Sequence, residues 1–151
     1  MMGKRDDPAV FDFFNEIGII GQLSQNALER ALPGGLKMSH FVVLNHFARL
    51  GGARSPQDLA RALQVTKGAM TNTLKRLEAR GLVEVRPDPD DGRGKRVTLT
   101  DAGSKVRNEA IQAIAPSLQA VGERFTQERL KEALPLLREV RQYLDKTRDA
   151  T

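Results

Sequence analysis

Apolar positions recur with a helical period along most of this chain and switch to strict alternation in one short region. Phe13, Ile17, Ile20, Ala27 and Ala31 fall on one face, with Phe14, Leu23 and Leu28 widening it, and predict a first helix. Asp7 before Pro8 predicts its start, with aspartate as cap and proline at the first helical position. "LPGG" at 32–35 predicts its end. A second helix is expected to start with Ser39 as cap and to run through "HFVVLNHFARL" to Gly51 and Gly52. In "SPQDLARAL" Ser55 caps, Pro56 takes the first helical position and Asp58 stands where a capping-box acid belongs, while Leu59 and Leu63 form a narrow buried stripe. Gln64 and Val65 then make a tight turn into a helix capped by Thr66, running from Lys67 to about Arg80 and stopped by Gly81.

The alternating region consists of "LVEVRPD" and "KRVTLT", two short strands. The segment between them, "PDDGRG", is too long for a two-residue turn and predicts an extended loop. Thr100 or Asp101 caps a long helix over "DAGSKVRNEAIQAIAPSLQAVGERF", and Thr126 caps another over "QERLKEALPLLREVRQYLDKTRD". Pro116 and Pro135 are expected to kink or interrupt these two helices. Leu130, Leu134, Leu137, Tyr143 and Leu144 form a stripe near the chain end, read as an interaction surface.

Two short helices joined by a tight turn and followed by a hairpin are the parts of a winged helix-turn-helix. The expected fold is therefore mainly α with a small β-hairpin wing. On the helix from Lys67, Met70, Leu74 and Leu77 share one face, with Val65 just before them. Gly68, Thr71, Asn72, Lys75 and, at one edge, Arg76 project from the other side. An asparagine can pair bidentately with adenine, a threonine can touch a thymine methyl, and a lysine can reach guanine or phosphate. The helix N-terminus at Thr66 and Lys67 adds backbone donors for a phosphate. A loop reaching past such a helix meets the minor groove, where arginine is the favoured probe. Arg93 stands there between Gly92 and Gly94, which let the backbone come close. Asp91 is placed to orient its guanidinium, and Lys95 and Arg96 are placed to meet phosphates.

Charge and composition sharpen this reading. From Thr66 to Arg96 eight bases stand against five acids, a surplus of three within a chain whose net charge is +5. The positive charge thus concentrates on the segment that would face DNA. A length of 151 residues fits one domain. The absence of cysteine excludes disulfides, thiolate metal sites and thiol redox switching. No apolar run reaches a membrane span, and the N-terminal residues carry acids where a signal peptide has its apolar core, so a soluble cytoplasmic protein is expected. His40 and His46 are six apart, not the spacing of a paired metal site. "GRGK" lacks the remaining parts of a phosphate loop. No nucleophile, metal or cofactor constellation is visible, so no enzyme and no cofactor is expected.

The stretch "LARALQVTKGAMTNTLKRLEARGLVEVRPDPDDGRGKRVTLTDAG" resembles the winged-helix core of the MarR (multiple antibiotic resistance regulator) family. The resemblance lies in the helix "TNTLKRLEARGLVEV", the wing "DPDDGR" and the closing "LTDAG", and it covers residues 55–103 without a large gap. Asp91 and Arg93 match the family's Asp-x-Arg wing signature. The resemblance implies a single MarR-like domain over residues 1–151, with dimerisation helices at 7–35 and 101–149 and a DNA-binding lobe at 36–100. It implies a homodimeric regulator, usually a repressor, on palindromic operators, with a small-molecule effector whose pocket residues the sequence does not name. Thr71, Asn72 and Lys75 would read bases and Arg93 the minor groove. Thr66, Lys67, Gly68, Arg76, Lys95 and Arg96 would complete the interface. Gly92 departs from the family, where a second basic residue is frequent, and Gly68 is a poor helix former for a first turn. Two alternatives stay open: a winged-helix module that binds protein only, and, more remotely, an enzyme acting on a small molecule.

Overall fold

The computed structural model describes residues 6–148. Residues 1–5, part of the N-terminal stretch read above, and residue 149, the expected end of the last helix, lie outside the described residues. The element order is α1 (Ala9–Ala31), α2 (Met38–Leu50), α3 (Pro56–Ala62), α4 (Lys67–Ala79), β1 (Val83–Pro87), β2 (Lys95–Leu99), α5 (Asp101–Phe125) and α6 (Gln127–Thr147). The chain forms two compact units that divide within α5, between Ile114 and Ala115.

In the first unit, Val43, Leu44, Phe47, Leu59, Met70, Leu74, Leu77, Val83 and Val97 are buried in one core with Ala110 and Ile114 of α5. Ser55 and Thr66 cap as the sequence predicts: Ser55 Oγ accepts the Asp58 N–H at 3.0 Å and Thr66 Oγ1 accepts the Ala69 N–H at 3.1 Å. Between the two helices Gln64 takes a left-handed φ of 54°. That reverses the chain within two residues and leaves Val65 43% exposed, outside the stripe expected to hold it. β1 and β2 pair antiparallel with Val85 opposite Val97 and Arg86 opposite Arg96. Arg54 adds a third rung, its backbone exchanging hydrogen bonds with Val97 at 2.9 and 2.8 Å. The hairpin is joined to α4 and α5 through Thr100, whose hydroxyl donates to the Gly81 carbonyl at 2.7 Å and accepts the Gly103 N–H at 3.0 Å. Thr100 is therefore the cap of α5. On α5, Arg107 donates two hydrogen bonds to Asn45 Oδ1 of α2, at 2.9 and 3.3 Å.

Three expected helix features are corrected. α1 starts at Ala9, with Pro8 rather than Asp7 at the cap position and no side-chain cap. As the N-cap residue, Pro8 accepts the first helical hydrogen bonds at its carbonyl, from the N–H groups of Phe11 and Asp12. α2 starts at Met38, one residue before Ser39, because Glu29 Oε1 accepts the Met38 N–H and His40 Nδ1 accepts the Lys37 N–H. α5 and α6 run uninterrupted through Pro116 and Pro135. The carbonyls they leave unpaired belong to Gln112 and Lys131, both exposed residues, so water can satisfy them.

The second unit consists of the end of α5 and all of α6, joined through the single residue Thr126. Leu118, Gly122, Leu130 and Leu134 line an apolar groove between the two helices. α6 buries none of its residues, and neither does α1 in the first unit. Ile20 is 61%, Leu23 66% and Tyr143 66% exposed. Among the described residues no helix is long and apolar enough to cross a membrane.

Candidate nucleic-acid interface

α4 owes its position to its buried face, where Met70, Leu74 and Leu77 enter the core. The opposite face is left outside: Lys67, Gly68, Thr71, Asn72, Lys75 and Arg76 are all exposed. The helix has two unlike edges. On one, Lys67 and Thr71 meet Arg93, Gly94 and Lys95 of the wing across a cleft of about 270 Å³, which Ser55, Pro56 and Gln57 close from the start of α3. Lys75, Glu78 and Val85 line the same groove farther along. On the other edge Arg76 and Arg80 stand near His40, which is buried. Burial first, then these two cations and Lys37, push the His40 pKa down, against a smaller opposing effect of Glu29.

Strand alternation decides which wing cations face α4. Val85 and Val97 point into the core, so Lys95, two residues from Val97, shares their face of the sheet. Lys95 accordingly lines the cleft. Arg96 lies on the outer face, where its Nε stands 3.5 Å from Asp88 Oδ1. Arg86, its cross-strand neighbour, is held by Glu84 at 2.8 Å. The Asp88 carboxyl sits below the usual range, chiefly because it accepts the Asp90 N–H and secondarily because of Arg96.

The loop between the strands differs from its expected mechanics. Asp91 Oδ1 accepts the backbone N–H of Arg93, so the aspartate orients the main chain at Arg93. Neither Gly92 nor Gly94 takes a positive φ, and a Cβ on Gly92 would meet nothing within 4 Å. Of the predicted residues, Lys67, Thr71, Lys75, Arg93 and Lys95 line one groove, while Thr66, Gly68 and Asn72 are exposed on α4 and its cap. Arg76 lies on the far edge of α4, and Arg96 on the outer wing face. Glu78 of α4 and Gln57 of α3 also belong to the groove, and Gln57 had no signal in the sequence because only the folded turn brings α3 beside the wing. Among the described residues no cluster of metal-ligating side chains occurs.

Known proteins share this arrangement. The profile of the MarR family matches residues 34–94. The multiple antibiotic resistance protein MarR of Escherichia coli strain K12 is 33% identical over 115 residues, 71% of this chain and 79% of that protein. The crystal structure of a cysteine-to-serine mutant of MarR from E. coli, complexed with operator DNA, superposes with a TM-score of 0.70 at 28% identity, covering 87% of this chain and 94% of that one. The transcriptional regulator BldR from Sulfolobus solfataricus superposes with a TM-score of 0.77 at 26% identity, covering 93% and 99%. Identity at this level over 71% of the chain places it in the MarR family.

Proposed function

We propose that the chain is a homodimeric, sequence-specific DNA-binding transcriptional regulator, a repressor released by a small-molecule effector and acting in the cytoplasm where the DNA is. The observation that carries this reading is the cleft where Lys67, Thr71, Arg93 and Lys95 converge between α4 and the wing. α4 enters the major groove with Thr71, Asn72 and Lys75 at base edges. Its start, Thr66 to Gly68, offers backbone donors to a phosphate, and Lys67, Arg76 and Lys95 add charge. Arg93 enters the minor groove. The operator-bound MarR structure supports the same docking here. The reading is of a binding protein rather than an enzyme.

The DNA-binding lobe comprises residues 36–100, and the flanking segments that hold α1, α5 and α6 serve dimerisation. Their support is the apolar surface that α1 and α6 leave uncovered. A two-fold dimer would cover it and set two recognition helices about 34 Å apart, one DNA turn. For the effector we propose the cavity of about 320 Å³ lined by Gln25, Met38, Val42, Leu63, Val65 and Met70. Met70 ties it to the buried face of α4, so an occupant with differential affinity for two placements of α4 would shift DNA binding.

The test is binding of the full-length protein to the duplex that it selects from a random-sequence pool. Asn72→Ala should weaken that duplex by roughly 1–3 kcal/mol while leaving random duplexes unaffected. Leu137→Glu with Leu144→Glu should sediment as a monomer and lose the selected duplex. Equal affinity of wild type for selected and random DNA would refute sequence-specific recognition.

A further inference from the structure

Two arginines face each other directly across the wing stem, Arg86 and Arg96. Like charges in that position destabilise an antiparallel pair. Each has its own carboxylate: Glu84 holds Arg86 and Asp88 holds Arg96. The two acids are not equivalent. Among the described residues the Glu84 carboxylate pairs with Arg86, whereas Asp88 is the point from which the loop hangs. Its N–H donates to the Gly94 carbonyl at 2.9 Å and its Oδ1 accepts the Asp90 N–H at 2.9 Å. Its side chain is 19% exposed, against 45% for Arg96. The residue it fixes, Gly94, directly follows Arg93.

We propose that Asp88 and Arg96 form the positioning device of the wing: Arg96 acts through Asp88 to fix the loop over 88–94 and hence the direction of Arg93, and makes no phosphate contact of its own. This rests on the DNA-binding reading above. Arg96 lies on the sheet face opposite Lys95, away from the cleft. Handing its guanidinium to a phosphate would also leave the Asp88 carboxylate, deprived of its cation, beside the DNA. The wing cations therefore divide by strand parity. Lys95 holds phosphate, Arg93 probes the groove, and Arg96 belongs to the scaffold. The low Asp88 carboxyl pKa agrees with a permanently ionised partner.

The experiment uses the full chain and the selected duplex with A·T-rich or G·C-rich flanks. It reads two quantities, the salt slope of affinity and the affinity ratio between flanks. The salt slope counts phosphate contacts, and the flank ratio reports how Arg93 is placed. Lys95→Gln should lower the slope by about one and keep the flank ratio. Arg96→Gln should keep the slope, lose affinity by about tenfold and flatten the flank ratio, as expected for coupled residues of one network. Asp88→Asn retains side-chain volume and an acceptor for Asp90, and should flatten the ratio likewise. The double variant should be no worse than the weaker single variant, and Arg96→Lys should restore most of the preference. A slope lowered by about one in Arg96→Gln with the flank ratio intact would make Arg96 a phosphate contact and overturn the proposal. So would additive losses in the double variant. If wild type binds no duplex in a salt-dependent way, the DNA-binding reading itself fails.

Discussion

Asp91 Oδ1 accepts the backbone N–H of Arg93 at 3.1 Å, across a single glycine. The Asp91 carbonyl accepts the next free donor, the Gly94 N–H, at 2.9 Å. An aspartate that satisfies the main chain two residues on makes a turn of its own. That explains the Asp-x-Arg order physically: the acid fixes the main chain at Arg93 and leaves the guanidinium for a ligand. Arg93→Ala should therefore shift folding stability by no more than about 0.5 kcal/mol. It should weaken DNA binding by roughly 1–3 kcal/mol. Arg93→Lys should recover part of the loss, since ammonium sheds its hydration less readily. Titration of the three proteins at fixed salt, with thermal melts beside it, checks both halves. Wild-type affinity in Arg93→Ala would remove this residue from the interface.

Gly92 offers a gain-of-function test. A Cβ there meets nothing within 4 Å and its φ is not positive, so a larger residue fits without strain. Gly92→Lys should leave the melting temperature unchanged and steepen the salt dependence of DNA binding by about one phosphate contact. An unchanged slope would show that position 92 points away from the backbone of the duplex.

Local chemistry was legible in the sequence and distant chemistry was not. Ser55 and Thr66 cap through residues three positions on, so their helix starts could be read directly. The start of α2 could not, because one of its donors is satisfied by Glu29, nine residues away on α1. The base-rich wing was visible, yet Lys95 and Arg96 read alike. Their parity depends on register, and register is set by Val85 opposite Val97 and by the Arg54 bridge. The exposure of Val65 is not encoded in the helical period, because the left-handed turn at Gln64 carries it outward.

The closing "LTDAG" contains the tightest steric demand in the lobe. A Cβ on Gly103 would run into the Leu82 carbonyl oxygen and stand 2.7 Å from Leu99 Cδ1. The obstacle is backbone, so α5 must move away from the hairpin to admit it. Gly103→Ala should lose about 1–3 kcal/mol of stability by overpacking, even though alanine is the better helix former. Denaturant unfolding should show a lower midpoint at unchanged slope. A midpoint at or above wild type would mean that this approach is not close in solution.

His40 makes the chain acid-sensitive. Its ring is buried at the start of α2, and Nδ1 accepts the Lys37 N–H at 3.2 Å, a role open only to the neutral ring. Burial, then Arg76, Arg80 and Lys37, hold its pKa below 6.5, with Glu29 opposing. The unfolded chain takes up a proton near pH 6.5 that the folded chain accepts only at lower pH. Between those two values the unfolded state binds more protons, so stability rises with pH. The contribution is complete above pH 6.5 and is lost as the pH falls through the folded-state value. His46 is shifted in the same direction by burial and by Arg54 and Arg49, but it is present in both proteins to be compared. His40→Asn sets an amide oxygen near the position of Nδ1 and cannot take up a proton. Melting temperatures from pH 7.5 downward should thus fall more steeply for wild type than for His40→Asn, with the curves separating below pH 6.5. Parallel curves throughout would show that the ring is already free to protonate in the folded protein.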